Sequence, residues 1–347
     1  MKKYLHEEWK HFVKINSSDR PFELPLFAAL SLGMPLLFGI YWGHLEYGLT
    51  ASLGGLIFLY IPNTQIEHRM VYSMACAFGM IFCYAIGLIF HLYPMWMAIT
   101  MAGMAVLVTM ICRYYALGPP GSLFFIMTVA IGTFTPLEFE RIPHQVGLIA
   151  MGCMLAWVLG LIYSLHILRR RSPLPASVPK MSFDFVIYDS LIIGIFVGIS
   201  IAVAQFLELD RPYWVPVSCL AVIQGVTFRA AWMRQVHRII GTCLGLLLTW
   251  AILALHLESV QLCLVMMVLI FTIECLIVRH YGLAVIFITP FTIFLAELGS
   301  MGGQEPGLMI RARLVDTALG CVVGILGAVL VHNSQLRTRV RKIFPYF

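Results

Sequence analysis

Charge is scarce in this chain. Of its 347 residues, 12% are Asp, Glu, Lys or Arg, against about 25% in a soluble domain. Those few sit in short clusters between apolar runs, so no water-facing domain of useful size can be built from them. Catalytic signatures are missing too. There is no GxSxG, Walker A or Rossmann fingerprint and no carboxylate pair at useful spacing, so neither enzyme chemistry nor ATP-driven pumping by this chain alone is expected. The nine cysteines (Cys76, Cys83, Cys112, Cys153, Cys219, Cys243, Cys263, Cys275 and Cys321) show no CxxC spacing. They read as small apolar packing residues, not as a metal or disulfide framework. The 11 histidines form no HExxH pattern and mostly flank the apolar runs. No cofactor or metal is implied. The net charge of +6 does not point to nucleic acid, because the basic residues lie at run ends, where membrane topology accounts for them. No secretory signal peptide is visible.

What is abundant is apolar length: 60% of residues are hydrophobic. Crossing the ~30 Å hydrocarbon core takes about 20 apolar residues. Twelve spans are read at 25–43, 48–62, 70–90, 95–112, 118–134, 145–167, 187–206, 213–227, 238–256, 260–278, 281–297 and 308–331. With both termini inside, 19 of the 23 Lys and Arg fall on the cytoplasmic side, and Arg141, Arg211, Arg311 and Arg313 fall outside. Losing or adding one span would scramble that split. The expected fold is an all-α polytopic membrane protein of about twelve transmembrane helices. Its segments are a cytoplasmic amphipathic N-terminus (1–24), a six-helix repeat (25–167), a basic Pro-rich cytoplasmic linker (168–186), a second six-helix repeat (187–331) and a basic cytoplasmic tail (332–347).

Two internal similarities support that division. Shifting the first half by 166 residues places Tyr47 on Tyr213, Ser52 on Ser218, Gly79 on Gly245, Arg113 on Arg279, Tyr115 on Tyr281 and His166 on His332. Within the second half, RIIGTCLG (238–245) and RLVDTALG (313–320) both obey R-x-x-x-T-x-L-G. The first opens span nine at the inner side and the second opens span twelve at the outer side. Spans 7–9 and 10–12 therefore read as inverted three-helix units, a pattern of transporters. Small residues at such positions also serve plain helix packing.

Spans two, five, eight and eleven are short and broken. Span two is GLTASLGGLIFLYIP, span five opens LGPPG, span eight carries Pro216, Gln224 and Gly225, and span eleven carries Thr289, Pro290 and Thr292. Interrupted segments at matching places in two halves point to a transport site, because freed backbone groups must face protein or water. Arg238 and Arg313 are the candidate anion ligands, each expected at a helix N-terminus where free N–H groups favour negative charge. Thr242, Asp316 and Thr317 accompany them, with Asp316 expected to pair with Arg313 one turn away. Glu274 and Asp316 are candidate coupling carboxylates. Tyr213, Trp214, Tyr281 and Phe291 offer rings for a ring-bearing substrate, although a belt of interfacial aromatics is the commoner explanation for the first two.

The stretch YWVPVSCLAVIQGVTFRAAWMRQVHRIIGTCLG (213–245) resembles the core of the fusaric acid resistance-like (FUSC), or aromatic acid exporter, family: an aromatic-Trp-x-Pro opening, a short span, a basic loop, then an R-x-x-G-T-x-x-G helix. The 281–324 stretch is similar to that family's second signature. Tyr47–Gly79 of the first half lacks the Trp-x-Pro and the Gly-Thr pair. The resemblance implies export of small organic anions, aromatic carboxylates among them, across a bacterial inner membrane. It implies a homo-oligomer or a periplasmic adaptor as candidate partner, beside the substrate and the bilayer. Plant aluminium-activated malate channels, distant relatives of six spans per subunit, imply a fused dimer with a central path. The leading expectation is thus an inner-membrane exporter of organic anions. A passive anion channel and a non-transporting scaffold are the alternatives.

Overall fold

A computed structural model describes residues 16–175, 183–297, 306–333 and 335. Most of the expected amphipathic N-terminus, the middle of the linker and nearly all of the basic tail lie outside the described residues. Among the described residues the chain forms twelve α-helices and no strand: α1 Glu23–Tyr41, α2 Leu45–Gly55, α3 Ile66–His91, α4 Met97–Tyr114, α5 Leu123–Thr133, α6 Ile142–Leu168, α7 Phe183–Phe206, α8 Trp214–Ile223, α9 Phe228–Leu253, α10 Ser259–Leu276, α11 Tyr281–Glu297 and α12 Pro306–Val331. Eight of these are long and apolar enough to cross a membrane; α2, α5, α8 and α11 are shorter. In hydrocarbon a backbone must satisfy its own polar groups, which makes the helix the local solution for every apolar run.

The short helices are wrapped by the others. Helix α8, ten residues long, is about 15 Å at 1.5 Å per residue, and all ten of its residues are buried. Helix α2 tightens into a 3₁₀ turn over Leu56–Tyr60, also buried. Two internal prolines are matched by glycines on neighbouring helices. Pro35 removes the donor that would bond the Ser31 carbonyl, and a Cβ built on Gly55 would lie 2.5 Å from that oxygen. Pro290 frees the Ile286 carbonyl in the same way, and a Cβ on Gly245 would lie 2.7 Å from it. In each case only glycine admits the close approach.

Helix ends differ from the expected span ends in one place that matters. Span nine was expected to open at 238, but α9 opens at Phe228, where the Thr227 hydroxyl accepts the Ala230 N–H. The ten residues FRAAWMRQVH are too polar for a membrane run yet continue the helix. Helix α7 begins at Phe183, four residues before the expected span start at 187.

Within the first half α1 packs on α2, both pack on α6, and α3 packs on α5 and α6; within the second, α7 packs on α8, both pack on α12, and α9 packs on α11 and α12. The halves meet along two seams, α4 against α7 and α1 against α10, and through the short helices, α5 on α8 and α2 on α11. Among the described residues, an ion pair lies in each seam, both at the same end of the molecule. Arg113 at the end of α4 pairs with Asp189 of α7, and Arg20, before α1, pairs with Glu274 of α10 at 2.7 Å. Asn16 N–H also donates to the Arg279 carbonyl, at 2.9 Å.

Candidate functional site

The centre of the second half is built on α8 and α11, with α9 and α12 laid against them. Helix α12 lies on α8: Gly320 backs onto the Val215 carbonyl and Gly324 onto that of Cys219. Helix α9 lies on α11: Gly241 faces Val285 and Gly245 faces Ile286 and Thr289. The two copies of R-x-x-x-T-x-L-G therefore do one job twice, since each ends in the glycine that seats a short helix.

Their arginines then cross over. The Arg313 guanidinium, on the helix seated against α8, lies 3.4 Å above the Trp214 ring of α8 and reaches across to α11, where its Nη2 donates to Thr292 Oγ1 at 3.0 Å. Arg238, on the helix seated against α11, donates from Nη1 to the Tyr281 hydroxyl of α11 at 3.4 Å. Its Nη2 reaches across to α8 and donates to Ser218 Oγ at 3.1 Å. Each guanidinium thus ties the same two short helices together. Both are buried, Arg238 at 6% and Arg313 at 3% exposure, and Trp214 is at 1%. The hydrogen-bond partners recorded for Arg238 are neutral hydroxyls, and its Nε has no hydrogen-bond partner among the described residues.

Neither arginine lies at a helix N-terminus, contrary to expectation. Arg238 is the eleventh residue of α9 and Arg313 the eighth of α12. The amides around them belong to the interior of the helix, where they bond carbonyls four residues back, so the charge at this site comes from the guanidinium groups and not from free N–H groups. Thr242 and Thr317 follow their arginines by four residues, which puts each on its arginine's face of the helix, and both are buried, as is Asp316.

Other expected residues are placed apart from this centre. Tyr213 caps α8 and packs its ring on Trp214 at 5.1 Å and on Phe134 of the first half at 6.3 Å. Pro216 sits in the first turn of α8, where a missing N–H leaves no gap. Pro290 opens the carbonyl that Gly245 covers. Gln224, at the other end of α8, donates to Ser122 Oγ, which bonds Thr109, and so links the halves. Glu274 is held by Arg20, which places it in a seam. Ser218 and Thr292 were not expected as arginine partners. The one trace of Ser218 in the sequence is its recurrence as Ser52 under the 166-residue shift.

Comparison with known proteins matches this region. Residues 199–327 match the sequence model of a family described as fusaric acid resistance protein-like, which bears out the resemblance carried by 213–245 and 281–324. The chain is similar to the uncharacterized membrane protein YvaC of Bacillus subtilis, 35% identical over 133 residues, covering 38% of this chain and 21% of that protein. It is also similar to the uncharacterized protein YhfK of Escherichia coli, 27% identical over 152 residues, covering 43% of this chain and 21% of that protein. The matched stretch thus spans about a fifth of the length of each relative. No solved structure matches significantly. The chain is a multi-pass membrane protein whose residues 199–327 are similar to fusaric acid resistance protein-like sequences.

Proposed function

From the premise of that similarity, we propose that the protein is a twelve-span transporter that exports small organic anions, aromatic carboxylates foremost, across a bacterial cytoplasmic membrane. The observation that carries this reading is the pair of buried guanidinium groups that bridge α8 and α11. A cation within a bilayer costs at least about 2.5–3.5 kcal/mol, so the buried Arg238, which donates to the hydroxyls of Tyr281 and Ser218, marks a place suited to an anion. Guanidinium meets a carboxylate through two parallel N–H donors, and the Trp214 ring lies where a substrate ring could stack. Burial of both groups argues against a continuously open passage. The corresponding helix pairings within the two halves favour a pair of six-helix repeats that work against each other. In this reading both termini face the cytoplasm, as the distribution of Lys and Arg favours. Glu274 lies in the seam between α1 and α10, so it makes a weaker coupling candidate than Asp316, which is buried three residues from Arg313.

The test is uptake of labelled hydroxybenzoate into proteoliposomes, with and without an imposed pH gradient, for the native chain and for Arg238→Gln and Arg313→Gln. A lost charge-assisted hydrogen bond costs about 1.5–3 kcal/mol, which is roughly 10- to 100-fold in binding. Each variant should therefore lose most of the flux while still inserting normally. Unchanged flux in either one removes that arginine from the route.

A further inference from the structure

A chamber lies in the first half, apart from the arginines. It is a cavity of about 480 Å³ at the start of α2, the end of α5 and the start of α6, closed on one side by Leu295 and Ala296 of α11. That size falls within the ~300–1,000 Å³ of small-molecule sites. All four helix ends lie at the end of the molecule far from Arg20, since α1 leads away from Arg20 to the start of α2.

Its chemistry differs from that of the arginine centre. Glu46 and Arg141 both line it and stand exposed, yet among the described residues they form no ion pair with each other or with any other group. One charge of each sign thus faces one space. Gln145 lines it as well, and its Oε1 is buried with no hydrogen-bond partner among the described residues. A buried acceptor left unmade costs about 1–3 kcal/mol, so this oxygen calls for a donor from whatever fills the chamber. Between the polar groups the wall is apolar and aromatic. Ile131 and Leu295 line it, and Tyr47 is fixed by edge-on contact with His144 at 4.8 Å.

A plain anion satisfies Arg141 but meets the Glu46 carboxylate. A plain cation has the converse difficulty. A molecule that carries both a carboxylate and an ammonium, on an apolar or aromatic body, satisfies Arg141 with one group and Glu46 and Gln145 with the other. We propose that this chamber is a binding site for such a zwitterion, of the aromatic amino acid class. Its place on a transport route rests on the reading above; the binding itself does not. Helix α11 joins the two places, because Thr292, which holds Arg313, lies one turn before Leu295 in the chamber wall.

The experiment measures equilibrium binding to the full-length protein in detergent with three probes that share one phenylethyl body: phenylalanine, 3-phenylpropionate (no ammonium) and phenethylamine (no carboxylate). The native chain should bind phenylalanine about tenfold or more tightly than either truncated probe. Glu46→Gln should abolish the advantage over 3-phenylpropionate, and Arg141→Gln the advantage over phenethylamine. Both side chains are exposed, so neither variant should lower the thermal midpoint. Arg238→Gln and Arg313→Gln should leave the binding intact, whatever they do to flux. Three results overturn the proposal: no phenylalanine binding, equal binding of 3-phenylpropionate by the native chain, or a phenylalanine preference that survives Glu46→Gln and Arg141→Gln but is lost in the Arg238 and Arg313 variants.

Discussion

At the residue scale, the buried hydroxyls decide what the two arginines can do. Ser52 and Ser218 occupy corresponding places under the 166-residue shift, and both are fully buried. Their partners differ: Ser52 Oγ donates to the Leu32 carbonyl at 2.7 Å, whereas Ser218 Oγ accepts from Arg238. Ser52→Ala removes a neutral helix-to-helix bond worth about 0.5–1.5 kcal/mol, and should lower the thermal midpoint slightly with little change in flux. Ser218→Ala strips a partner from a buried cation and should depress hydroxybenzoate flux far more than its twin. Equal effects of the two on flux would show that the Arg238 contact plays no part in transport. Arg313→Lys is a second test. It keeps the charge but loses the planar face that lies on Trp214 and the fixed fork of donors. Flux should fall about tenfold or more, because a lysine here restores electrostatics without geometry.

At the element scale, the short helices owe their positions to glycine. A Cβ on Gly320 would run into the Val215 carbonyl, and one on Gly245 would lie 2.7 Å from that of Ile286. These are backbone atoms, which cannot rotate away. Gly320→Ala or Gly245→Ala should therefore push α8 or α11 outward, lower the melting temperature and reduce flux together. Gly103→Ala and Gly147→Ala meet nothing within 4 Å and should be neutral or stabilising by roughly 0.5–1 kcal/mol, as glycine-to-alanine changes inside helices are. The sequence made much of this scale legible. Proline, glycine and shortness mark α2, α5, α8 and α11, and the doubled phrase marks the glycines that seat two of them. It did not reveal where α9 begins, because hydropathy reports the edge of the hydrocarbon and not the end of a helix. Residues 228–237 are polar and helical at once, so Arg238 was expected at a terminus when it lies three turns in. Nor could spacing along the chain show which hydroxyl meets which guanidinium. Ser218 and Arg238 are 20 residues apart and come together only through the packing of α9 on α8.

At the scale of the whole molecule, the twelve-span reading makes a topological prediction. In a background with Cys243→Ser, single cysteines replacing Trp42, Tyr93, Glu138 or Asp210 should react with a membrane-impermeant thiol reagent added outside cells. Cysteines replacing Gly118 or Leu174 should react only after permeabilisation. Any reversal within either group breaks the expected order of spans. The seams matter at this scale as well, and they were invisible in the sequence, since nothing local to α1 names α10 as its neighbour. Arg20 reaches Glu274 across 254 residues of chain, and α1 lies along α10. During synthesis α1 therefore enters the bilayer long before its partner leaves the ribosome, and its contact face must be covered by lipid or by an insertion factor while it waits. A chain stopped before residue 259 keeps that flank open, and pulse-chase labelling should find it cleared by membrane quality-control proteases much faster than the full-length protein.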